Sequence, residues 1–283
     1  MPQYPGHERP PPKGGRTSHR GARRRELGQN FLNDRGDAAR VVALAQLERD
    51  HLAVDLGAGH GALTAPLAAA TGRVVAVERD RALARALRAR FADDDRVQVV
   101  EGDLLGVPLP GEPFTVVANL PYGIGTKAVR RLLVDGHGLR AAVLVLQLEA
   151  ARRIAGVPRS GRFSATWAPW YSFELVATLP ATAFRPAPTV DAGILRITAR
   201  RPTLLSPAAF AQHISVVDVA FQTGRGQTVA QRLGRLAGRP TVARSLLRAA
   251  GIDPSATPSQ LRPESWAAIT RVLSAGASSG AAR

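Results

Sequence analysis

Short apolar runs alternate with segments of helical periodicity through about the first 200 residues of the chain. The apolar runs are rich in β-branched residues and typical of buried strands; they cover residues 52–56, 73–78, 97–103, 114–119 and 141–147. The intervening segments place apolar residues on one helix face, over residues 61–70, 79–91 and 126–136. This alternation predicts a parallel sheet with helices on both faces, which is the doubly wound α/β class of fold.

The pattern changes after two more β-rich segments, residues 172–180 and 193–200, which can close the sheet. Apolar residues then recur at helical spacing, beginning with Phe210, Ile214, Val217 and Phe221. Prolines suited to the first turns of helices stand at positions 207, 240 and 263. We therefore predict an α/β domain over residues 26–202 and a small C-terminal helical domain over residues 203–275.

Both ends of the chain have the composition of tails. Residues 1–25 have almost no apolar residues and carry seven arginines and lysines, which predicts a disordered basic arm. Such an arm is either a solvated tail or a segment that contacts phosphates and releases counterions. Residues 276–283 are small and polar, and we expect a flexible end there.

The formal charge of +16 comes almost entirely from arginine and favours a polyanionic partner. A GC-rich genome would enrich arginine in the same way, so composition alone leaves the choice open. The chain has no cysteine, which excludes disulfides, Cys-ligated zinc and thiol nucleophiles. It also shows no signal peptide and no run of about 18 apolar residues. We therefore expect a cytoplasmic protein without membrane contact.

Three glycines follow the first strand and precede a helix. Gly57, Gly59 and Gly61 would let a ligand approach the backbone where a helix N-terminus offers free N–H groups. An ordinary tight turn is the alternative. NAD is a competing ligand, but its fingerprint has the spacing G-x-G-x-x-G, whereas this loop has G-x-G-x-G.

Acidic residues end the next two strands. Glu78 lies about 20 residues past the glycines, where an acid can accept hydrogen bonds from both ribose hydroxyls. Asp103 ends the third strand, where a carboxylate can hold an adenine amino group. Each acid alone would more often be a helix N-cap, since Asp80 and Asp103 both lie near the starts of helices or turns. Together with the glycines they share the sheet edge at which open α/β sheets bind ligands.

The segment Asn119-Leu120-Pro121-Tyr122 follows a run of β-branched residues. Pro121 removes a backbone donor and pushes Leu120 into an extended conformation, so the strand ends with its carbonyls turned away from the sheet. The segment is either a shaped polar pocket or merely a turn.

These motifs carry a family resemblance. The residues D-L-G-A-G-H-G at 55–61, the acids Glu78 and Asp103, and N-L-P-Y at 119–122 resemble the motifs of S-adenosylmethionine-dependent methyltransferases that act on amino groups. The segment E-L-G-Q-N-F-L at 26–32 resembles the N-terminal motif of ribosomal RNA adenine methyltransferases, which include the Erm enzymes for 23S RNA and the KsgA type for 16S RNA. The likeness covers about residues 26–275.

The resemblance implies a Rossmann-like methyltransferase sheet, S-adenosylmethionine as cofactor and no metal. It assigns the cofactor to Gln29, Asn30, Leu32, Gly57, Gly59, Glu78, Asp103 and Asn119. The substrate is then an adenine flipped out of its RNA stem, with its exocyclic amine facing the methyl group.

The resemblance also implies catalytic roles. The Asn119 side-chain oxygen and the Leu120 carbonyl, freed by Pro121, would accept both amine hydrogens, and Tyr122 would stack on the base. Phe184, which precedes two prolines, would clamp the other face of the adenine. A plain core phenylalanine is the alternative for Phe184.

Two departures from the KsgA type favour an Erm enzyme. Thr189-Val190-Asp191-Ala192 stands where KsgA-type chains usually have Lys-Val-Asp-Ser, and the aromatic segment 167–171 looks more like actinobacterial Erm proteins. We expect a monomer that methylates naked or partly assembled 23S RNA and confers macrolide resistance. A KsgA-type enzyme or a non-catalytic RNA-binding protein on the same scaffold are the alternatives. The dense basic run that many relatives carry in the helical domain is missing here.

Overall fold

The computed structural model of the protein describes residues 30–222 and 226–280. Seven of its strands form one sheet in the order β4-β3-β2-β5-β6-β9-β7, and a two-stranded sheet pairs β1 with β8. The strands are β1 (Phe31–Leu32), β2 (Leu52–Leu56), β3 (Arg73–Glu78), β4 (Val97–Glu101), β5 (Phe114–Asn119), β6 (Leu139–Gln147), β7 (Tyr171–Leu179), β8 (Phe184–Arg185) and β9 (Ala192–Ala199).

The helices alternate with these strands and then continue alone. They are α1 (Arg35–Ala43), α2 (Thr64–Ala70), α3 (Arg81–Arg90), α4 (Gly125–Asp135), α5 (Leu148–Ala155), α6 (Arg162–Trp167), α7 (Phe210–Ala220), α8 (Val229–Leu233), α9 (Pro240–Ala249) and α10 (Ser265–Gly280). Helix α10 thus reaches into residues 276–280, where we expected a flexible end. The predicted arm, residues 1–25, lies outside the described residues.

Strands β2 to β6 are parallel, whereas β9 runs antiparallel to both β6 and β7. The α/β prediction is confirmed. Every residue of β2 is buried because both faces of the sheet are covered, which is why four of its five residues are apolar; the fifth is the buried acid Asp55. The chain moves from β2 outward to β3 and β4 and then returns to β5 on the other side of β2. The loops after β2 and β5 therefore flank a crevice at the point where strand order reverses, the usual ligand position in such sheets.

Alternate residues of the central strands feed two separate cores. On β6, Leu144 joins the core beneath α4 and α5, whereas Val143 joins the core beneath α1 and α2. Phe114 and Ile154 fill the first core, and Leu67 is fully buried in the second. Both cores brace the same sheet, so its carboxyl edge is a rigid platform for the loops.

The C-terminal helices α7 to α10 share one core, which also includes Ala165 of α6. Trp266 is fully buried within it. Nε2 of His213 lies 3.0 Å from the Ala165 carbonyl on α6. Two ion pairs cross the same boundary, Arg162 to Asp218 at 2.6 Å and Arg200 to Glu264 at 2.9 Å. Within the described ranges, no helix is long and apolar enough to cross a membrane.

Candidate cofactor and substrate site

The glycine loop after β2 turns sharply because its glycines adopt conformations that other residues avoid. Gly59 and Gly61 have φ angles of +56° and +79°. A Cβ at Gly59 would lie 2.6 Å from Cε1 of Phe31, and one at Gly61 would lie 2.8 Å from Cδ2 of Leu87. The backbone N–H groups of Gly57 and Ala58 donate to the Val77 carbonyl. The loop is therefore held as a narrow cradle at the carboxyl edge.

Glu78 lies directly beneath this loop. Its side chain is buried, and its Oε2 accepts a hydrogen bond from the Gly59 N–H at 2.8 Å. Its Oε1 accepts a second from the Asp80 N–H at 2.7 Å. Each carboxylate oxygen keeps a further lone pair for a ligand. Asp80 caps α3 by accepting from Ala82 and Leu83, so the N-cap interpretation holds for Asp80 and not for Glu78.

A second buried acid supports the same loop. Asp55 is 1% exposed and accepts a hydrogen bond from the Thr64 hydroxyl at 2.7 Å. Burial, together with the charge of Glu78, raises the pKa of Asp55 to about 7, despite the opposing effect of the hydrogen bond from Thr64. The Asp55–Thr64 bond ties the end of β2 to the first residue of α2.

Asp103 lies beside Glu78 at the same edge, because the Gly102 N–H donates to the Glu78 carbonyl at 3.0 Å. Its Oδ1 accepts from the Leu105 N–H at 2.9 Å, and its Oδ2 lies 3.8 Å from Nη1 of Arg79. The side chain is 51% exposed. Asp103 thus caps a turn, as the alternative expected, while half of its side chain stays exposed.

The Asn-Leu-Pro-Tyr segment ends β5 and leads into α4. The Leu120 N–H donates to the Val145 carbonyl at 3.1 Å, while its side chain is fully buried. The Pro121 carbonyl accepts from the Ile124 N–H at 3.1 Å, which closes the turn. Within residues 30–222 and 226–280, no donor reaches the Leu120 carbonyl. The predicted acceptor is therefore available.

The N-terminal segment bridges the glycine loop and this turn. Nδ2 of Asn119 donates to the Asn30 carbonyl at 2.6 Å, which fixes the orientation of the amide. The neighbouring Phe31 ring lies against Gly59, with its centroid 4.8 Å from that of His60. Leu32 is buried in the core beneath α1 and α2. Asn30 thus joins the site through its backbone, and Gln29 lies outside the described residues.

The two aromatic residues differ in their placement. Tyr122 is half-buried, and its hydroxyl has no hydrogen-bond partner in the described part of the chain. Burial, together with the charge of Asp191, raises the pKa of Tyr122 to about 12. Phe184 is 1% exposed and packs in the core beneath α1 and α2. This burial matches the alternative, a core phenylalanine, and the clamp role stays a prediction.

Sequence reasoning missed the arginines that hold the loops. Arg90, at the end of α3, donates from Nη1 to the His60 carbonyl at 2.6 Å. Arg131, on α4, donates to the Leu104 and Val107 carbonyls. Arginine on an amphipathic helix ordinarily predicts a solvated side chain, so the sequence held no signal for these contacts.

The cradle fits a nucleoside-type cofactor, because adjoining strands present a glycine loop, the buried acid Glu78 and the half-exposed acid Asp103. This site, on a sheet with an antiparallel edge, defines an S-adenosylmethionine-dependent methyltransferase. The chain belongs to the ribosomal RNA adenine dimethylase family, which matches residues 21–275. It is 40% identical over 250 residues to the mycinamicin-resistance protein MyrB of Micromonospora griseorubida, covering 88% of this chain and 78% of that one.

Two further relatives extend the comparison. The crystal structure of the 23S rRNA methyltransferase ErmE superposes with a TM-score of 0.78 and 34% identity, covering 87% of this chain and all of the other. The ribosomal RNA small subunit methyltransferase A of Kineococcus radiotolerans is 36% identical over 260 residues, covering 89% of this chain and 86% of that one. The chain is thus similar both to 23S enzymes and to small-subunit enzymes.

Proposed function

We propose that this chain transfers methyl groups from S-adenosylmethionine to the N6 amine of one adenine in 23S ribosomal RNA and so confers macrolide resistance. The substrate is naked or partly assembled RNA in the cytoplasm, because a finished ribosome buries the base beyond a flipping enzyme's reach. A monomeric state remains part of this proposal. Similarity to MyrB and to ErmE supports the choice of 23S RNA.

The observation that carries the proposal is the orientation of the Asn119 amide. Because Nδ2 is engaged by the Asn30 carbonyl, Oδ1 must point the other way. Within the described ranges no donor reaches that oxygen. The Leu120 carbonyl next to it is also without a donor there. Two acceptors beside the cofactor cradle suit a group that carries two hydrogens, such as an exocyclic amine.

The adenine amine is a poor nucleophile because its lone pair is delocalised into the ring. Acceptors at both hydrogens draw the nitrogen toward tetrahedral geometry, so Asn119 and Leu120 favour the reactive form. S-adenosylmethionine, when bound, supplies the electrophilic methyl group. After attack the nitrogen is acidic and loses its proton to water, so the site needs no strong base.

Tyr122 would hold the ring of the flipped base. Base stacking on an aromatic side chain contributes about 1–3 kcal/mol in single-stranded nucleic-acid binding. The hydroxyl has no partner among described residues, so the ring rather than the hydroxyl supplies this contact.

Exposed cations surround the substrate side of the site. We call Lys127, Arg130, Arg152, Arg153 and Arg159 the basic rim; all five are exposed, on α4, on α5 and just after it. Arg153 donates to the Thr126 hydroxyl at 3.1 Å, which joins the two helices. In the described structure Lys127 and Arg130 have no acidic partner. The basic rim would contact RNA phosphates and bring the target base over Asn119.

A methyl on the target amine explains the resistance. It adds bulk and removes a hydrogen where a macrolide docks, and a clash or an unpaired polar group each costs on the order of 1–3 kcal/mol. Resistance to lincosamides and streptogramin B would follow if two methyls are added.

The alternative is dimethylation of 16S RNA, which the likeness to the Kineococcus enzyme favours. Expression in a macrolide-sensitive host, with primer extension on both RNAs, distinguishes the two. We expect a new stop in 23S RNA and higher macrolide tolerance, and neither with Asn119→Ala. Unchanged sensitivity, together with rescue of a strain that lacks 16S adenine dimethylation, would assign the chain to the small-subunit enzymes.

A further inference from the structure

Arg131 is an arginine on a core helix that is directed toward the cofactor loops. Its side chain is only 14% exposed. Nη1 donates to the Leu104 carbonyl and Nη2 to the Val107 carbonyl, while Nε lies 3.6 Å from Asp135 Oδ2. A nearly buried guanidinium is thus committed to the backbone of one loop, the loop that follows β4.

That loop carries Asp103. The Asp103 carbonyl accepts from the Gly106 and Val107 N–H groups, both at 2.8 Å, and its Oδ1 accepts from the Leu105 N–H at 2.9 Å. Residues 103–107 therefore form a closed turn whose first residue is the acid. Arg131 holds two other carbonyls of this turn, so it fixes the turn as a unit relative to α4.

Helix α4 begins at Gly125, three residues after Tyr122 of the substrate motif. Its attachment to the core is made by buried apolar residues such as Leu132 and Leu133, which would hold the helix without an arginine. The contacts of Arg131 instead join α4, the helix that follows the substrate motif, to the loop of Asp103.

We propose that Arg131 is a positioning residue that places Asp103 against the purine of the cofactor and so sets selectivity for adenine over a 6-oxo purine. A carboxylate accepts from the adenine amine and repels the oxygen of hypoxanthine. This inference rests on the proposed adenine-binding role of Asp103.

The proposal is tested by the ratio of the affinities for an adenine ligand and for its 6-oxo analogue. Calorimetry compares S-adenosylhomocysteine with S-inosylhomocysteine for the full chain and its variants. We expect Asp103→Asn to reduce the preference for adenine about tenfold, the order of one hydrogen bond to a charged group. Arg131→Met should reduce this preference about threefold to tenfold. Arg131→Lys should lie between the wild type and Arg131→Met, because an ammonium cannot bridge two carbonyls as the planar guanidinium does.

A double-mutant cycle and a control separate positioning from general stability. If Arg131 acts through Asp103, the Arg131→Met and Asp103→Asn effects on the ratio are not additive. Arg200 is the matched control, since it donates to the Ala168 carbonyl and pairs with Glu264 far from the cofactor edge. Arg200→Met should lower the melting temperature and leave the ratio unchanged.

The outcomes distinguish the inference from its premise. A ratio that stays at the wild-type value in Arg131→Met and Arg131→Lys, but falls in Asp103→Asn, refutes the positioning role alone. A ratio that stays unchanged in Asp103→Asn refutes the adenine contact and the inference with it. Should Arg131→Met not fold, Arg131→Lys decides, because it keeps the charge and one donor.

Discussion

Replacing Glu78 by glutamine exchanges one carboxylate oxygen for an NH₂ group, and the contacts of the carboxylate determine how much cofactor affinity is lost. Its two oxygens accept from two backbone N–H groups, Gly59 at 2.8 Å and Asp80 at 2.7 Å. A glutamine has one oxygen, so its NH₂ group must face one of these donors. A buried donor left unpaired costs about 1–3 kcal/mol. Since the ribose hydroxyls would meet the same carboxylate, we expect a loss near 2 kcal/mol, roughly thirtyfold in cofactor affinity.

Calorimetry with S-adenosylhomocysteine measures this loss. Glu101 provides the control, because it lies opposite Glu78 in the β3–β4 register but is exposed and pairs with Arg88 at 3.4 Å. Glu101→Gln should bind within about twofold of wild type, since an exposed ion pair contributes little. Wild-type affinity in Glu78→Gln would show that the carboxylate does not carry the site. Tight binding of NAD without binding of S-adenosylhomocysteine would overturn the cofactor assignment as a whole.

Four further predictions concern the substrate motif, the N-terminal basic arm and the buried acid Asp55. Asn119→Ala should lower single-turnover rates far more than RNA affinity, because its contact strengthens only as the amine becomes tetrahedral; equal losses would contradict this role. Tyr122→Ala should be harsher in turnover than Tyr122→Phe, since the hydroxyl has no partner among described residues; equal effects would indicate a hydrogen bond. Deleting residues 1–25 should leave cofactor affinity unchanged. It should reduce the slope of log K for RNA binding against log salt concentration by about 0.7–0.9 per lost phosphate contact. An unchanged slope would show that the arm is a passive tail. The raised pKa of Asp55 means that the folded state binds its proton more tightly than the unfolded state, so the free energy of unfolding falls as the pH rises from about 4 to about 7. Denaturant unfolding of Asp55→Asn should show a flatter dependence of this free energy on pH. An unaltered dependence would assign the titration to another group.

The sheet could be predicted because its central strands β2, β5 and β6 are largely buried on both faces and therefore consist mostly of apolar residues. Helix α5 was not predicted because it follows β6 directly, with no turn signal between them, and α6 was not predicted because it has only six residues. The pairing of β1 with β8 was also missed. Each of these strands has two residues, and their partners lie far apart in sequence, so no local periodicity indicates them.

The residue types of the candidate site could be predicted from the sequence, whereas the contacts between them could not. Glycines and acids can be recognised in the sequence because they directly follow strands, and the structure brings them to the carboxyl edge of the sheet. The Asn119–Asn30 contact joins residues 89 positions apart and uses a backbone carbonyl, which leaves no trace in side-chain chemistry. The role of Phe184 stays a prediction, because an aromatic residue before two prolines suits a clamp and a core position equally well.

The contacts among the loops also explain why the site depends on the N-terminal segment. Phe31 occupies the space that a side chain at Gly59 would need, and the Asn30 carbonyl orients Asn119. One short segment therefore touches both the cofactor cradle and the substrate acceptor. Because Asn30 acts through its backbone, Asn30→Ala should retain the contact, whereas a displacement of residues 30–32 would disturb both halves at once. Cofactor binding and amine orientation are thus coupled through backbone geometry, and substitutions that shift this segment should lower both together.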